Sequence, residues 1–325
     1  MIVLTHEDVA ALLPMREAIE VVAEVMKGVS ARTAELPLRS AVPVGGANKM
    51  GVMPGAIADP ACFGVKLVSL FPGNPARGLS SHRGAIVLFE AETGGAVAMM
   101  DASLLTAVRT AAASAVATRA LAREDAESLA IIGYGEQAEH HLTAMLAVRP
   151  IKRVAVAGRS AEKAAAFAAQ AAAEYPEVDF SSGTDLHTAV ASADIVCTVT
   201  ASPTPIVQGD WVKPGAHVNI VGSSIPTMRE VDDRMVERGA IWVDYTPSTL
   251  AQAGEIVDMI AEGTFRDSDL KGEIGSLLAG DIAGRSGADQ ITVYRSLGVA
   301  AQDLAAAHHV LTRARAEGRG QPVTF

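Results

Sequence analysis

The fold of this chain is decided by residues 128–138, Ser128-Leu-Ala-Ile-Ile-Gly-Tyr-Gly-Glu-Gln-Ala138. The four consecutive apolar residues at 129–132 predict a short parallel strand that is buried on both faces and runs directly into glycine. Gly133 permits a tight turn, Gly135 lets the backbone approach a phosphate closely, and Ala138 is small enough for a helix to pack on the strand. The stretch therefore predicts a strand, a glycine turn and a helix whose N-terminus favours a pyrophosphate.

A turn of the form GxGxxA is a weak signal when it stands alone, so its surroundings matter. The segments after it alternate between strands and helices, with a strand at 153–157, a helix at 160–175 and strands at 194–199, 217–222 and 241–244. This alternation predicts an α/β fold with a Rossmann-type, doubly wound parallel sheet.

Candidate contacts to a dinucleotide lie in the glycine turn and after the later strands. They are Gly133, Gly135, Glu136, Gln137 and Ala138 in the turn, and Thr200, Ala201, Ser202, Val221, Ser296 and Gly298 further along the chain. For the small residues of the second group, the alternative is that their role is only structural.

Length and composition exclude several classes of protein. The chain has 325 residues, of which 49% are hydrophobic, and a net charge of −10. This length suggests two domains, and the acidic balance without a basic run argues against a nucleic-acid partner. No apolar stretch approaches the roughly eighteen residues of a membrane span, and the N-terminus shows no secretory signal. With Cys62 and Cys197 interpreted as buried apolar residues, the sequence predicts a cytoplasmic protein, and it offers no metal-ligand motif.

The N-terminal third has a different pattern from the rest. A helix is predicted from Pro14 to about Lys27, short apolar runs between glycines and prolines at 36–100 predict strands, and 104–121 predicts a long alanine-rich helix. Together these elements predict a second domain of the α+β class.

Three cations interrupt apolar stretches of this second domain, namely Arg39, Lys66 and Arg109. A buried cation is costly unless it meets an anion. Each side chain could reach solvent or pair with an internal carboxylate. Alternatively, the anion is a substrate carboxylate, for which the planar fork of arginine is a natural partner.

Ordered matches along nearly the whole chain resemble the ornithine cyclodeaminase/mu-crystallin family. They are Leu36-Pro-Leu-Arg39, Gly64-Val-Lys-Leu-Val68, Gly78-Leu-Ser-Ser-His-Arg-Gly84, Thr93-Gly94, Met100-Asp101, Leu105-Thr-Ala-Val-Arg-Thr-Ala-Ala-Ala-Ser114, Ile132-Gly-Tyr-Gly-Glu-Gln-Ala138 and Ser296-Leu-Gly-Val-Ala-Ala-Gln-Asp303. The resemblance implies an NAD(P)H cofactor and a homodimer that forms through the N-terminal sheet. It also implies a substrate-binding and dimerisation domain at 1–120, a dinucleotide domain at 121–300 and a helix at 301–325 that returns to the first domain.

The resemblance further implies roles for the three cations. Arg39, Lys66 and Arg109 would line the substrate site opposite the nicotinamide, with the two arginines on the α-carboxylate of the substrate. Lys66 would be a proton donor or a further carboxylate contact.

Two departures from the family pattern bear on the reaction. Ser224 stands where the cyclodeaminases have an aspartate that activates water, and a hydroxyl without an adjacent base is a poor proton acceptor near neutral pH. Residues 40–58 contain no acid that could hold the distal amine of ornithine. A cyclodeaminase-like lyase is therefore disfavoured, and the likeness is to the imine-reductase branch. A non-catalytic binding protein of the mu-crystallin kind stays as an alternative.

The resemblance implies a cyclic ketimine or iminosuccinate as substrate, and the charge of the site is used to choose between them. Arg83, next to His82, would add a fourth cation to the site, and four cations favour a dicarboxylate, so iminosuccinate, reduced to aspartate, is the best single prediction. The alternatives are a cyclic ketimine, pyrroline- or piperideine-2-carboxylate, and amino acid dehydrogenation, and Arg83 could instead face solvent. His82 would orient the substrate or serve the loop structure, and Ser224 or a water is the alternative proton source to Lys66.

The cofactor's phosphate preference is predicted from the end of the second strand, Ala157-Gly-Arg-Ser160. An acid there would bind the ribose hydroxyls of NAD, and none is present. Arg159 and Ser160 could bind the extra phosphate, which favours NADPH. If Arg159 only stacks on adenine, NADH is accepted as well.

Overall fold

The computed structural model describes residues 1–324, and the chain divides into two units. The first unit comprises Met1–Thr110 and the segment from Gly298 onward, and the second comprises Ala111–Leu297. The boundaries thus fall at 110 and 297, where the sequence analysis placed them at 120 and 300. The first boundary lies inside a helix, which is why no change of pattern marks it in the sequence.

The helices and strands follow in chain order. The N-terminal part contains β1 (Ile2–Leu4), α1 (His6–Leu12), α2 (Met15–Ser30), β2 (Ala34–Glu35), β3 (Ser40–Gly45), β4 (Asn48–Ala58), β5 (Ala61–Leu70), β6 (His82–Glu90), β7 (Ala96–Asp101) and α3 (Ala102–Leu121). The middle part contains β8 (Ser128–Ile132), α4 (Glu136–Val148), β9 (Arg153–Ala157), α5 (Ala161–Glu174), β10 (Asp179–Gly183), α6 (Leu186–Ser192), β11 (Ile195–Thr198), β12 (His217–Ile220), α7 (Asp233–Arg238), β13 (Ala240–Val243), α8 (Thr246–Gln252), α9 (Gly254–Ala261), β14 (Gly272–Glu273), α10 (Ile274–Ala279) and β15 (Thr292–Arg295). The last elements are α11 (Ala300–Glu317) and β16 (Gln321–Pro322).

The first unit is built on a mixed sheet with the order β16-β1-β7-β6-β5-β4-β2, and β3 pairs with β4. Neighbouring strands are antiparallel except for β1 and β7. Helix α11 packs on β4, β5 and β6 and against α2. It approaches the sheet at small residues, since a Cβ at Gly55 would lie 3.0 Å from that of Ala300. The opposite face of the sheet leaves apolar side chains exposed, including Phe63, Leu67 and Met99.

The second unit contains the sheet that the sequence predicts. Its order is β10-β9-β8-β11-β12-β15-β13-β14, and every pair in it is parallel. Residues 129–132 of β8 are buried, as expected of a strand covered on both faces. The Rossmann-type fold is therefore confirmed. The sequence analysis missed β10, which is short and largely polar at the edge of the sheet, and β15, a buried strand of four residues.

Residues 1–324 contain neither a membrane-spanning helix nor a cluster of metal-binding side chains. None of the helices there combines the length and the apolar character that a bilayer span requires. Within the same residues, no group of three or more His, Cys, Asp or Glu side chains is placed to hold a metal ion.

Candidate active site

The glycine turn after β8 has the geometry that its sequence predicts. Gly133 has a φ of +120°, and a Cβ there would come within 2.9 Å of the carbonyl oxygen of Val199. Gly135 is the N-cap of α4, whose first turn contains Glu136 and Gln137. Ala138, also in the first turn of α4, is completely buried and donates its N–H to the carbonyl oxygen of Gly135. The exposed N-terminus of α4 fits a pyrophosphate, because free N–H groups and the helix dipole favour an anion.

Tyr134, which the sequence analysis did not single out, shapes the end of the neighbouring strand β9. Its ring lies so close to Gly158 that a Cβ there would come within 2.4 Å of Cε1. Its hydroxyl oxygen accepts the N–H of Ser160 at 3.1 Å, and Oγ of Ser160 accepts the N–H of Lys163 as the cap of α5. Arg159 is exposed and makes no hydrogen bond or ion pair within residues 1–324. Ser160 is thus engaged as the cap of α5. Of these two predicted phosphate contacts, Arg159 is the one whose side chain is free.

The loops after β11 and β12 are joined by a carboxylate that the sequence analysis also missed. Glu230 is completely buried and accepts the N–H and the hydroxyl of Thr200, the hydroxyl of Thr198 and the N–H of Gly222. Burial raises the pKa of Glu230, and these hydrogen bonds oppose the shift. The hydroxyl of Thr200, a predicted cofactor contact, therefore already donates to a side chain of the protein.

The remaining predicted contacts of this unit lie around the same loops. Ala201 is exposed, Ser202 donates its hydroxyl to the oxygen of Thr204, and Val221 is buried. Ser224 is half-buried, whereas its neighbour Ser223 is completely buried and binds Arg295 through both its carbonyl oxygen and its hydroxyl.

Among the buried polar side-chain atoms of the second unit that lack a hydrogen-bond partner within residues 1–324, two belong to predicted contact residues. They are Oγ of Ser296, in a residue that is 2% exposed, and Oε1 of Gln137 in the first turn of α4. Buried polar groups normally have partners, so orphaned ones at predicted contact positions fit a polar ligand. Together with the turn at Gly133, they show that the residues present fit a dinucleotide.

The first unit holds a buried cluster of charges, and Asp303 is its centre. Nζ of Lys66 lies 2.9 Å from Oδ1 and 2.8 Å from Oδ2 of Asp303. Nε of Arg109 donates to Oδ1 of the same carboxylate at 2.8 Å, and its Nη1 donates to the side chain of Gln302 at 3.0 Å. These charged side chains are between 1% and 5% exposed. Asp303 and Gln302 are the residues of this cluster that the sequence analysis missed, although both stand in a segment that it quoted.

The cluster combines two cations with a single carboxylate. Arg109 leaves Nη2 without a hydrogen bond within residues 1–324, since Nε and Nη1 make its two bonds. Burial and the charge of Arg109 lower the pKa of Lys66 to about 7, and the charge of Asp303 opposes the shift. Although burial alone would raise the pKa of Asp303, the charges of Arg109 and Lys66 hold it below its ordinary value. The arrangement therefore offers an anion-binding guanidinium beside an amine that can give up a proton near neutral pH.

Arg39 joins this cluster from the segment before β3. Its Nη2 donates to the carbonyl oxygen of Gly298 at 3.1 Å. Gly298 has a φ of +75°, and a Cβ there would lie 2.4 Å from Nη1 of Arg109. Within this unit, Gly298 therefore lets the backbone pass directly beside both guanidinium groups.

The register of β5 and β6 shows on which face of the sheet Arg83 lies. Lys66 is opposite Ile86, Leu70 is opposite His82, and Ser69 is opposite Arg83. Because side chains alternate between the two faces of a sheet, His82 shares the face of Lys66, whereas Arg83 lies on the other face. There it lines a cavity of about 590 Å³ with Ser69 and Asp101. The register thus puts Arg83 on a different face of the sheet from the cluster around Lys66.

Residues 1–318 match the model of the ornithine cyclodeaminase/mu-crystallin family. The chain belongs to this family. It is 34% identical over 331 aligned positions to the Delta(1)-pyrroline-2-carboxylate reductase of Bacillus cereus, with all of both chains covered.

Two solved structures of the family resemble the chain along its whole length. The Thermococcus litoralis Delta(1)-pyrroline-2-carboxylate reductase, in complex with NADH and L-proline, superposes with a TM-score of 0.96 at 31% identity, covering 99% of this chain and 100% of that one. The iminosuccinate reductase of Paracoccus denitrificans, in complex with NAD+, superposes with a TM-score of 0.92 at 30% identity, covering 100% and 99%. The predicted family, fold class and enzyme class, an oxidoreductase of C=N bonds, are thereby confirmed, while the predicted substrate iminosuccinate is not.

Proposed function

We propose that this chain is an NAD(P)H-dependent reductase that converts a small α-imino acid to the amino acid. The observation that carries the proposal is the buried cluster in which Lys66 and Arg109 share the single carboxylate of Asp303. A buried excess of positive charge is costly unless an anion joins it. The carboxylate of an imino acid supplies that anion, and Nη2 of Arg109 is a free donor for it.

The charges of the cluster favour one substrate class over the other. Arg83 lies on the opposite face of the sheet, and Asp303 already neutralises one of the two buried cations. Arg39 is only half-buried, and its Nη2 donates to the carbonyl oxygen of Gly298. The positive charge that remains suits a substrate with one carboxylate better than a substrate with two. We therefore propose a cyclic ketimine monocarboxylate of the pyrroline-2-carboxylate kind in preference to iminosuccinate. The iminosuccinate reductase among the structural relatives keeps the dicarboxylate as the second candidate.

The residues of the chain have distinct tasks in this reaction. The nicotinamide supplies the hydride that adds to the imine carbon. Arg109, with Arg39, holds the carboxylate so that the imine has one orientation, and this positioning replaces a strong base. Lys66, with its lowered pKa, keeps or restores the proton on the imine nitrogen. His82 lies on the same face of the sheet as Lys66, which supports a contact with the same substrate.

Two other functions fit the site less well. A cyclodeaminase-like lyase needs a free acid to activate water, and Glu230, beside the loop of Ser224, is buried with four donors on its oxygens. A binding protein without turnover has no need of an amine with a lowered pKa in its anion site.

The decisive experiment compares substrates and products. The oxidation of NADH and of NADPH would be followed with pyrroline-2-carboxylate, piperideine-2-carboxylate, and oxaloacetate with ammonia. We expect the highest kcat/KM with a cyclic ketimine. A clear preference for oxaloacetate with ammonia would move the substrate to iminosuccinate. Ammonia release from ornithine without net cofactor oxidation, or binding without turnover, would contradict the proposed reaction.

We also propose that two copies of the chain associate through the sheet of the first unit. Phe63, Leu67 and Met99 are each between 36% and 37% exposed and belong to the strands β5 and β7. Phe63 stacks on Phe89 of β6, with ring centroids 5.1 Å apart. Exposed apolar side chains grouped on one sheet face are typical of a protein interface.

A further inference from the structure

One buried side chain holds the ends of two neighbouring parallel strands in the second unit. Oε1 of Glu230 accepts the N–H of Thr200 at 2.7 Å and its hydroxyl at 2.8 Å. Oε2 accepts the hydroxyl of Thr198 at 2.9 Å and the N–H of Gly222 at 2.6 Å. Thr198 ends β11, and Gly222 lies shortly after β12. Glu230 thus joins the loops after both strands through four hydrogen bonds.

The two loops are also in direct contact. A Cβ at Gly222 would lie 2.0 Å from the carbonyl oxygen and 2.4 Å from the nitrogen of Thr200. No side chain can stand between the loops at this point. If the carboxylate were lost, the N–H groups of Thr200 and Gly222 would each lose a partner in this close contact.

A carboxylate is a costly way to join two loops, because burial in an apolar environment disfavours its charge. The pKa of Glu230 is raised by this burial. Arg295, a cation whose charge opposes this shift, makes hydrogen bonds to Ser223 and Glu255. The ionised carboxylate of Glu230 is thus stabilised chiefly by the hydrogen-bond donors of the two loops. The conformation of the loops and the ionisation of Glu230 therefore depend on each other.

The strand order indicates which part of a bound dinucleotide would lie at these loops. In a doubly wound sheet, a dinucleotide lies across the carboxyl ends of the strands, with its pyrophosphate at the first glycine turn and its second half beyond the reversal of strand order. The order reverses between β8, which carries the glycine turn, and β11. The loops after β11 and β12 therefore lie on the side of the nicotinamide half. We propose that Glu230 is a positioning residue that fixes these two loops in the conformation that binds the nicotinamide half of the cofactor.

This inference rests on the proposed function, which requires bound NAD(P)H, and it is tested by binding rather than by turnover. In Glu230→Gln, an amide nitrogen replaces one oxygen and turns its hydrogens toward two donors. Calorimetry would give Kd values for NADH and NADPH and for ADP-ribose and its 2′-phosphate, which lack the nicotinamide. We expect the Kd of the dinucleotide to rise at least tenfold, and that of the matching nicotinamide-free ligand to stay within about twofold.

Two further variants complete the test. Glu237→Gln changes an exposed glutamate of α7 that pairs with Arg234, and it should leave both Kd values unchanged. Thr198→Val removes one of the four hydrogen bonds and keeps the carboxylate, so it remains informative if the glutamine variant does not fold. It should raise the Kd of the dinucleotide alone by about three- to tenfold.

Each outcome has a distinct meaning. Equal weakening of both ligands would make Glu230 a general structural residue and overturn the inference, as would unchanged binding of the dinucleotide in both variants. If the parent protein bound neither NADH nor NADPH, the proposed function itself would fall, and the inference with it.

Discussion

Lys66 and Asp303 are 237 residues apart in the chain, yet Nζ of the lysine lies 2.8 Å from Oδ2 of the aspartate in a buried ion pair. Helix α11 brings Asp303 onto β5, where Lys66 stands, and Arg109 shares the same carboxylate. The internal carboxylate that the sequence analysis weighed against a substrate is thus present. Because it serves two cations, it does not remove the need for a further anion.

Lys66→Met keeps the apolar stem of the side chain and removes the amine. If Lys66 supplies the proton, kcat for imine reduction should fall by about 10²-fold or more, which is the usual contribution of a positioned proton donor. Steady-state kinetics with a cyclic ketimine measures the change. Lys49→Met, at an exposed lysine of β4, is the matched control and should behave like the parent. Unchanged kcat and KM in Lys66→Met would contradict the proposed role of Lys66 as the proton donor.

The pH dependence follows from the lowered pKa of Lys66. The protonated amine is the donor, and its pKa is about 7, so kcat/KM should decline as the pH rises above about 7. The charge of Asp303 raises the pKa of Lys66, and Asp303→Asn should therefore move this decline to lower pH. Profiles of both proteins with one substrate would be compared, with circular dichroism as the check of folding. A decline at the same pH in both proteins would contradict the coupling.

Arg109→Lys tests the carboxylate contact. Lysine keeps the charge but loses the planar fork that binds Asp303, Gln302 and a substrate carboxylate together. We expect KM for the imine to rise at least tenfold, an order of magnitude that matches the loss of one charge-assisted hydrogen bond. Arg83→Gln should leave KM within about twofold, because the strand register places Arg83 on the other face. An unchanged KM in Arg109→Lys together with a raised KM in Arg83→Gln would indicate that Arg83 binds the substrate instead.

Arg159→Ala tests the cofactor preference. Arg159 is exposed and has no partner within residues 1–324, whereas Ser160 is committed to capping α5. If Arg159 binds the ribose phosphate, its loss should raise the Kd of NADPH about tenfold and leave that of NADH nearly unchanged. Fluorescence titration with both cofactors would measure this. Equal changes for both would mean that Arg159 stacks on adenine instead.

Met99→Glu tests the proposed dimer. A charge on the exposed sheet face should disfavour association, and sedimentation equilibrium should then show a larger share of monomer than in the parent. Ile260→Glu is the matched control, because Ile260 is also 37% exposed but lies in α9 of the second unit. If the parent protein were monomeric at micromolar concentration, this result would contradict the proposed dimer interface.

Much of the fold and part of the candidate site could be predicted from the sequence. The Rossmann-type sheet follows from the run at 129–132, the glycine turn and the alternation of strands and helices, all of which are local signals. The cations Lys66 and Arg109 were found because each interrupts an apolar stretch. Glu230 was missed because it stands in a polar run with other acids, where a buried carboxylate has no distinct pattern.

The sequence by itself determined which segments become buried strands and where a phosphate-binding turn stands, because both depend on neighbours within a few residues. Only the tertiary structure decided which charges meet. The register of β5 and β6 sent Arg83 to the other face of the sheet, and the packing of α11 placed Asp303 between Lys66 and Arg109. A shift of one residue in a strand reverses the face of every side chain in it, and ion pairs across hundreds of residues leave no local trace.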